Sequence, residues 1–436
     1  MGLRSIALRW ACLVVATLLG GDALAADRFE EAPIHYSTAT PSNPIEQLAT
    51  ALANNSVSLA YEDSAGYLKS LLDALKVPVD SQVLVFSKSS LQTQSISPEH
   101  PRAIYFNDEI YVGSVQYGEH LEISVADPAL GTVFYTLTQR KSDRPELVRQ
   151  SDNCLQCHAS SLTYGIPGHI VRSLFTDDNG FPILRAGSFV TTQDSPFDER
   201  WGGWYVTGTH GAARHMGNVT AVATERDATL DTEHGANRLT LDERVDSENY
   251  LTKHSDIVAL CVLEHQTQMH NLITQANFET KFALRDQAVI DEILKPEVPA
   301  LSESTQRRIR SAGEKLLEYL LFANEAPITA SIRGTSGFAE RFSAQGPFDQ
   351  KGRSLRELDL NTRLFKYPLS YLIYSPQFDG LPQEMKDYLF RRIWDVLAGT
   401  QPDAKFNHLD SATRQAIREI LIDTKPGLPA YWVRSK

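Results

Sequence analysis

The stretch LEISVADPALGTVFYTLT, residues 121–138, decides the fold of this 436-residue chain. Apolar and polar side chains alternate on both sides of Asp127-Pro128 and Gly131, which is the pattern of two β-strands joined by a short turn. The stretch therefore predicts an antiparallel hairpin.

The sequence before this hairpin predicts further strands of the same sheet. Gln82–Ser87 and Ala103–Gln116 are strand-like, and Asn107-Asp108 interrupts the second run where a hairpin turn is expected. Earlier in the chain, Ile45–Leu52 and Tyr67–Leu75 carry apolar residues at helical spacing. This front region is therefore predicted to be an α/β region with antiparallel hairpins and with helices on one side of the sheet.

The sequence after the hairpin changes from strands to helices. Two strand candidates come first, Phe181–Thr191 and Gly203–Thr209. Residues 221–250 then hold eight acidic residues against three arginines, and they predict an exposed acidic connection with little core of its own. Four helical stretches follow: Asp256–Leu294, Thr305–Ala323, Pro382–Leu397 and Ser411–Thr424. The predicted fold class is α+β, with a mainly helical C-terminal half.

The N-terminus has the organisation of a secretory signal peptide. Arg4 and Arg9 supply positive charge, the run Trp10–Leu19 is apolar, and Ala23-Leu24-Ala25 is a small-x-small cleavage site. The apolar run is about half of the roughly 20 residues that a membrane-spanning helix needs. We therefore expect cleavage near Ala25, a periplasmic or otherwise exported protein, and no membrane span in the mature chain. An uncleaved N-terminal anchor is the alternative.

Charge argues against nucleic-acid binding. The net charge is −12, and it becomes −13 without residues 1–25, whose only charged side chains are those of Arg4, Arg9 and Asp22. An acidic protein of this kind repels the phosphate backbone, so no nucleic-acid partner is expected.

Cysteine usage carries the sharpest chemical signal. Of four cysteines, Cys12 lies in the apolar leader, Cys261 is isolated in a helical stretch, and the others form Cys154-Leu-Gln-Cys157-His158. Two thiols at this spacing can add to the two vinyl groups of haem, and the following histidine can bind the iron. A zinc ribbon would need a second ligand pair, and a thioredoxin-like redox pair would need a preceding strand. A simple disulfide between the two cysteines also stays open.

Through Asn153-Cys154-Leu-Gln-Cys157-His158, the chain resembles the c-type cytochromes. The resemblance covers these few residues and does not extend to the fold. It implies one covalently attached haem c, held by the thioethers of Cys154 and Cys157, with His158 as the proximal metal ligand. It also implies a redox partner protein or a small-molecule electron donor or acceptor.

The ligand opposite His158 is predicted from the distribution of methionine and histidine. The polar, glycine-rich segment 210–218 holds Met216, His215 and His210, and we place Met216 slightly ahead of His215 as the distal metal ligand. His169 is a further candidate. Cys261, His265 and Met269 share one helix face, for which core packing is the simpler interpretation. Arg172 and Arg185 are candidate partners for the haem propionates.

These observations predict the organisation and the function together. The sequence predicts an exported monohaem c-type cytochrome that transfers single electrons through a His158-ligated iron. The alternative is a haem enzyme of peroxidase or oxygenase type, with His210, His215 or His265 as acid–base groups, and a haem-based sensor is a third hypothesis.

The predicted segments are the signal peptide 1–25, the α/β region 26–150, the haem-binding segment 151–220, the acidic connection 221–250 and the helical domain 251–436.

Overall fold

The structure, a computed structural model, describes residues 28–224, 227–241, 245–296, 300–400 and 403–432. The predicted signal peptide and three acidic residues of the predicted connection, Glu225, Asp242 and Glu243, lie outside the described residues. In the part of the chain that is described, no helix is long and apolar enough to cross a membrane.

Seven antiparallel strands form the main sheet, in the order β6-β5-β4-β3-β2-β1-β9. β7 pairs with β8, and β10 pairs with β11, in two small separate hairpins. The strands are β1 Val83–Val85, β2 Arg102–Phe106, β3 Ile110–Ser114, β4 His120–Asp127, β5 Gly131–Thr138, β6 Leu147–Gln150, β7 Arg172–Leu174, β8 Ser188–Val190, β9 Trp204–Tyr205, β10 Val222–Ala223 and β11 Ala228–Thr229.

The predicted hairpin 121–138 is the centre of this sheet, as β4 and β5. Its turn forms because the Asp127 carboxylate accepts hydrogen bonds from the backbone N–H groups of Ala129 and Leu130, at 2.9 and 3.1 Å. Gly131 then takes a left-handed φ of +75°, which glycine adopts without steric cost. The pairing of Asp127 with Gly131 closes the turn and sets the register of both strands.

One face of the sheet packs on the two N-terminal helices. Alternate residues of β4 and β5, such as Ile123 and Tyr135, lie in a core that also contains Ile45 and Leu71 from those helices. Asn43 caps the first helix by accepting hydrogen bonds from two backbone N–H groups, and its amide also donates to Asp127 at 3.0 Å. The helices are therefore joined to the central turn as well as to the sheet face.

The opposite face of the sheet is divided between two coverings. Its β1–β3 half contributes Val83, Ile104 and Phe106 to a core built around the longest helix, Ile257–Leu294. Its β4–β6 half carries more polar residues, and Phe134 of β5 contacts the segment that follows β6. That segment contains the Cys-x-x-Cys-His motif.

Helices dominate the chain after residue 250, and the predicted α+β class is confirmed. The helices are α1 Pro44–Ala53, α2 Leu68–Ala74, α3 Leu155–His158, α4 Thr232–Gly235, α5 Ile257–Leu294, α6 Glu303–Leu320, α7 Phe338–Ser343, α8 Pro376–Asp379, α9 Gln383–Ala398 and α10 Ser411–Thr424. Several features differ from the sequence prediction. Strands β6 and β7 were not predicted, and β6 ends just before Cys154, so the preceding strand that a thioredoxin-like redox pair needs is present. Edge strand β9 comes from outside the predicted sheet region, and α5 covers the second sheet face, so helices lie on both sides.

Candidate haem attachment site

The two motif cysteines lie on one turn of helix. Cys154 precedes α3, and the backbone N–H of His158 donates to the Cys154 carbonyl at 3.0 Å, which closes the turn and brings the motif residues together. Cys154 is half-buried and Cys157 is exposed, and neither forms a disulfide with any described residue. Burial raises the pKa of the Cys154 thiol to about 11, so this group is a thiol at neutral pH.

His158 uses its two ring nitrogens differently. Nδ1 donates to the backbone carbonyl of Gly168 at 2.9 Å, and no described residue forms a hydrogen bond with Nε2. The bond to Nδ1 selects the tautomer whose Nε2 carries a lone pair, which is the form that binds a metal. Burial lowers the pKa of the imidazole more than the hydrogen bond to Gly168 raises it, so the neutral ring is favoured.

The loop after the motif folds back on His158. The backbone N–H of Gly168 donates to the His158 carbonyl at 2.8 Å, and the Thr163 hydroxyl donates to the same carbonyl at 3.1 Å. The chain reverses at Tyr164 and Gly165, both with positive φ. On its other side, the imidazole packs on Phe134 of β5, with ring centroids 4.8 Å apart. The ring is therefore fixed from two directions.

A charged pair on the sheet lies near the motif. Arg102 donates to Glu122 at 2.7 Å, and Gln92 donates to the second oxygen of the same carboxylate at 2.9 Å. The Nε–H of Arg102 is buried and has no hydrogen-bond partner among the described residues. An arginine with a spare N–H group near the motif is suited to bind a carboxylate.

The predicted propionate partners differ in their contacts. Arg172 likewise has a buried Nε without a partner in the described chain, although its terminal nitrogen donates to Ser188 at 3.0 Å. Arg185 donates to the carbonyl of Thr224 at 2.8 Å. Of the two, Arg172 is the one with an unused buried donor.

These residues together fit a covalently attached haem. The donor set consists of two free cysteine sulfurs on one helical turn and a neutral imidazole with an unused Nε2. The unsatisfied arginine N–H supplies a donor for a carboxylate close to the motif. The site therefore has the chemistry that a c-type haem requires.

The structure does not bring Met216 and His215 to this site. Met216 donates its backbone N–H to Arg200 at 2.9 Å, and its sulfur accepts a hydrogen bond from Ser173 at 3.4 Å, close to edge strand β9. His158 lies on β5, and four strands separate β5 from β9. Five inter-strand spacings of about 4.8 Å amount to roughly 24 Å, whereas two axial ligands of one iron lie within a few ångströms of it.

The histidines of segment 210–218 differ in how their nitrogens are used. His215 accepts a hydrogen bond from the backbone N–H of Gly217 at 3.0 Å, and its ring lies 4.7 Å from that of His210. The Nε2 of His215 is buried and has no hydrogen-bond partner among the described residues, and because Nδ1 accepts a hydrogen bond, Nε2 carries the hydrogen of the neutral ring. Both nitrogens of His210 have partners, the Ala213 carbonyl and the Asn237 N–H, each at 2.9 Å. Residues 215–218 are buried next to β9, whereas Gly211 and Ala212 are exposed.

His169 is the candidate that lies closest to His158 along the chain. Its two nitrogens contact the hydroxyls of Ser124 and Thr132, both at 3.1 Å, and its ring lies on Tyr111. With both nitrogens used, His169 is a fixed part of the sheet surface in this arrangement.

Cys261, His265 and Met269 lie in the helical core. All three are at most 3% exposed, and His265 bonds to Gln193 at 2.6 Å and to Ser370 at 2.7 Å. The described residues contain no group of three or more His, Cys, Asp or Glu side chains that could hold a metal ion. This helix face is packed as core.

Two polar contacts of α5 were not predicted from the sequence. Asn271 contacts His169 in the loop that follows the motif, and Glu264, away from the motif, forms a buried ion pair with Arg200 at 3.0 Å. The signal for both was present, since a helix that is buried on all sides places every polar residue against the protein interior. Their partners are 64 to 102 residues away, which no local pattern reveals.

Comparison with known proteins adds nothing to this geometry, because no family model, curated protein or solved structure matches the chain. The function therefore has to be argued from the chemistry of the site itself.

Proposed function

We propose that this protein is an exported c-type cytochrome that carries one haem c and transfers single electrons. The observation that carries the proposal is the state of His158, whose Nδ1 is bonded to Gly168 while its Nε2 is unused, one position after two free cysteines on the same turn. The fully buried His169 and His265, by contrast, have both nitrogens engaged.

Attachment needs no oxidant. Cys154 and Cys157 would hold the haem through two thioethers, since a thiol can add across a vinyl C=C bond when its hydrogen is taken up by the second carbon. When bound, the haem supplies a one-electron iron couple whose potential depends on its ligands and surroundings.

The surrounding residues hold and insulate the group. Phe134 and the Gly168 carbonyl fix the ring plane of His158, and Arg102 offers a donor for a propionate. Cys157 is exposed, so a haem held there would be accessible to a redox partner protein or a small-molecule electron donor or acceptor.

Haem attachment is the first test. The full chain is expressed with its leader in a host that attaches c-type haem, and denaturing gels are stained for haem. We expect one covalent haem per chain, measured by pyridine haemochrome absorbance, and complete loss of covalent haem in the double variant Cys154→Ala/Cys157→Ala. The matched control is Cys261→Ala, which removes the third described cysteine and should keep the haem.

The reaction class is tested on the same samples. Absence of covalent haem in the natural protein would overturn the proposal. If haem is attached, an electron-transfer site should show slow or no CO binding to the ferrous protein under native conditions. Rapid CO binding, with peroxide turnover, would replace electron transfer by the haem-enzyme alternative.

A further inference from the structure

We infer that Asn271, on helix α5 of the C-terminal half, is a positioning residue that holds the proximal histidine in its metal-binding orientation. The inference deepens the proposed function and rests on it. Asn271 does not contact His158. It acts through the backbone of residues 168 and 169.

The contact is a two-point clamp on the backbone of one residue, His169. The side-chain oxygen of Asn271 accepts a hydrogen bond from the His169 N–H at 2.8 Å, and its amide nitrogen donates to the His169 carbonyl at 2.8 Å. Asn271 is 2% exposed, so water does not compete for these bonds. The clamp therefore fixes the backbone of residue 169 relative to α5.

The clamped peptide carries the carbonyl that bonds to His158. The Gly168 carbonyl belongs to the same peptide unit as the His169 N–H, so the Asn271 oxygen and the His158 Nδ1–H bind opposite ends of one planar group. Polarisation along such a chain strengthens both hydrogen bonds. A stronger bond at Nδ1 makes His158 a more basic ligand.

Residue 168 has to be glycine for this approach. A Cβ atom there would lie 2.5 Å from the Asn271 side-chain oxygen and 3.1 Å from the Cβ of Thr163. Real Cβ atoms do not come within 2.5 Å of another heavy atom, so any side chain would separate the clamp from the loop. The close contact of Gly168 and Asn271 thus joins helix α5 to the loop that holds His158.

The test compares two asparagines on the same helix. Asn271→Ala removes the clamp, whereas Asn277→Ala removes an equally buried asparagine that donates to the Pro128 carbonyl at 2.8 Å and forms no hydrogen bond with residues 163–170. Haem content, the midpoint potential and hydrogen exchange in residues 163–170 are measured for both. A more basic ligand favours ferric iron, so loss of the clamp should raise the potential.

We expect Asn271→Ala to shift the ferric–ferrous equilibrium about tenfold toward ferrous iron, which is about 59 mV for one electron. Exchange in residues 163–170 should rise in the same variant. Asn277→Ala should leave both unchanged. A haem-loaded Asn271→Ala protein with the natural potential and natural exchange would overturn the inference.

A second variant covers the case in which Asn271→Ala does not fold. Gly168→Ala disrupts the same contact, because its Cβ would overlap the Asn271 side chain, and it should also raise the potential. An unchanged potential in haem-loaded Gly168→Ala would also overturn the inference. Absence of haem from the natural protein would instead refute the proposed function, and hydrogen exchange would then still decide whether Asn271 holds the loop.

Discussion

Buried histidines in this protein differ in how their nitrogens are used. His265 and His270 each have two hydrogen-bond partners, and burial lowers the pKa of both rings, so they are neutral polar groups of the core. His158 is also held neutral by burial, yet only one of its nitrogens has a protein partner. A neutral imidazole whose free nitrogen carries the lone pair can bind a metal, whereas one with two hydrogen-bond partners is held as a structural residue.

Glu264 is a buried acidic residue whose protonation state, like that of the histidines, is set mainly by burial. It is fully buried on α5, where Arg200 is its partner at 3.0 Å and its second oxygen is without a hydrogen bond among the described residues. Burial raises its pKa to about 7, and the Arg200 guanidinium opposes this rise. The carboxyl therefore gains a proton within the range of neutral pH.

Glu264→Gln should change how stability depends on pH. In the unfolded chain this carboxyl has a pKa near 4.5, so between pH 4.5 and about 7 the folded protein holds a proton that the unfolded chain has lost. This contribution to stability is present at low pH and is lost as pH rises to about 7. Glutamine does not titrate. The melting temperature of the variant, relative to the natural protein, should therefore rise between pH 5 and pH 7.5.

The matched control is Glu279→Gln on the same helix. Glu279 is partly exposed and pairs with Arg28 and Arg308, so it reports the loss of one negative charge from α5 without full burial. If the two variants show the same dependence on pH, burial of Glu264 does not govern its titration.

At the scale of elements, the β4–β5 hairpin was predictable because its information is local. Alternating side chains, an aspartate that bonds to the turn and a glycine at the left-handed position all lie within residues 121–138. Strand β9 was not predictable as part of this sheet, since its two residues, Trp204 and Tyr205, gain their place by pairing with β1 more than 100 residues earlier. The position of segment 210–218 relative to His158 was not predictable for the same reason, because the order of residues along the chain does not show which segments lie close together in space.

The turn of the β4–β5 hairpin also contacts α5 and the loop that follows the Cys-x-x-Cys-His motif. A Cβ at Gly131 would lie 2.5 Å from the Thr274 methyl group and 3.0 Å from the Pro167 carbonyl. Gly131→Ala should thus cost about 1–2 kcal/mol for the left-handed φ and about 1–3 kcal/mol more for the overlap. Urea unfolding measures the sum as a lower midpoint at an unchanged slope.

Gly165→Ala separates these two costs. Gly165 has a similar φ of +71°, but a Cβ there would meet no heavy atom within 4 Å. Its replacement should cost only the conformational part, about 1–2 kcal/mol. Equal losses for the two variants would show that the hairpin turn is not tightly packed against α5.

At the scale of the whole molecule, the two halves share one core. Val83, Ile104 and Phe106 of the sheet lie in the same apolar cluster as residues of α5, α6 and α9. Each such side chain contributes about 1.5–3 kcal/mol when it is buried. Several of them together approach the 5–15 kcal/mol by which a domain is usually stable, so the sheet depends on α5.

A fragment of residues 26–250 should therefore neither fold cooperatively nor retain haem in its native environment. It keeps Cys154, Cys157 and His158, but it loses the helix that covers β1–β3 and, with Asn271, the clamp on the loop that fixes His158. Circular dichroism during heating should show no sharp transition, and any attached haem should bind CO readily, because His158 is no longer held. Co-expression of residues 251–436 supplies the missing surface, so it should restore both the transition and the haem spectrum of the full chain. A cooperative transition with a native haem spectrum in the fragment alone would instead make the front half an independent domain, and the long helical half would then need a function unconnected with holding the haem site.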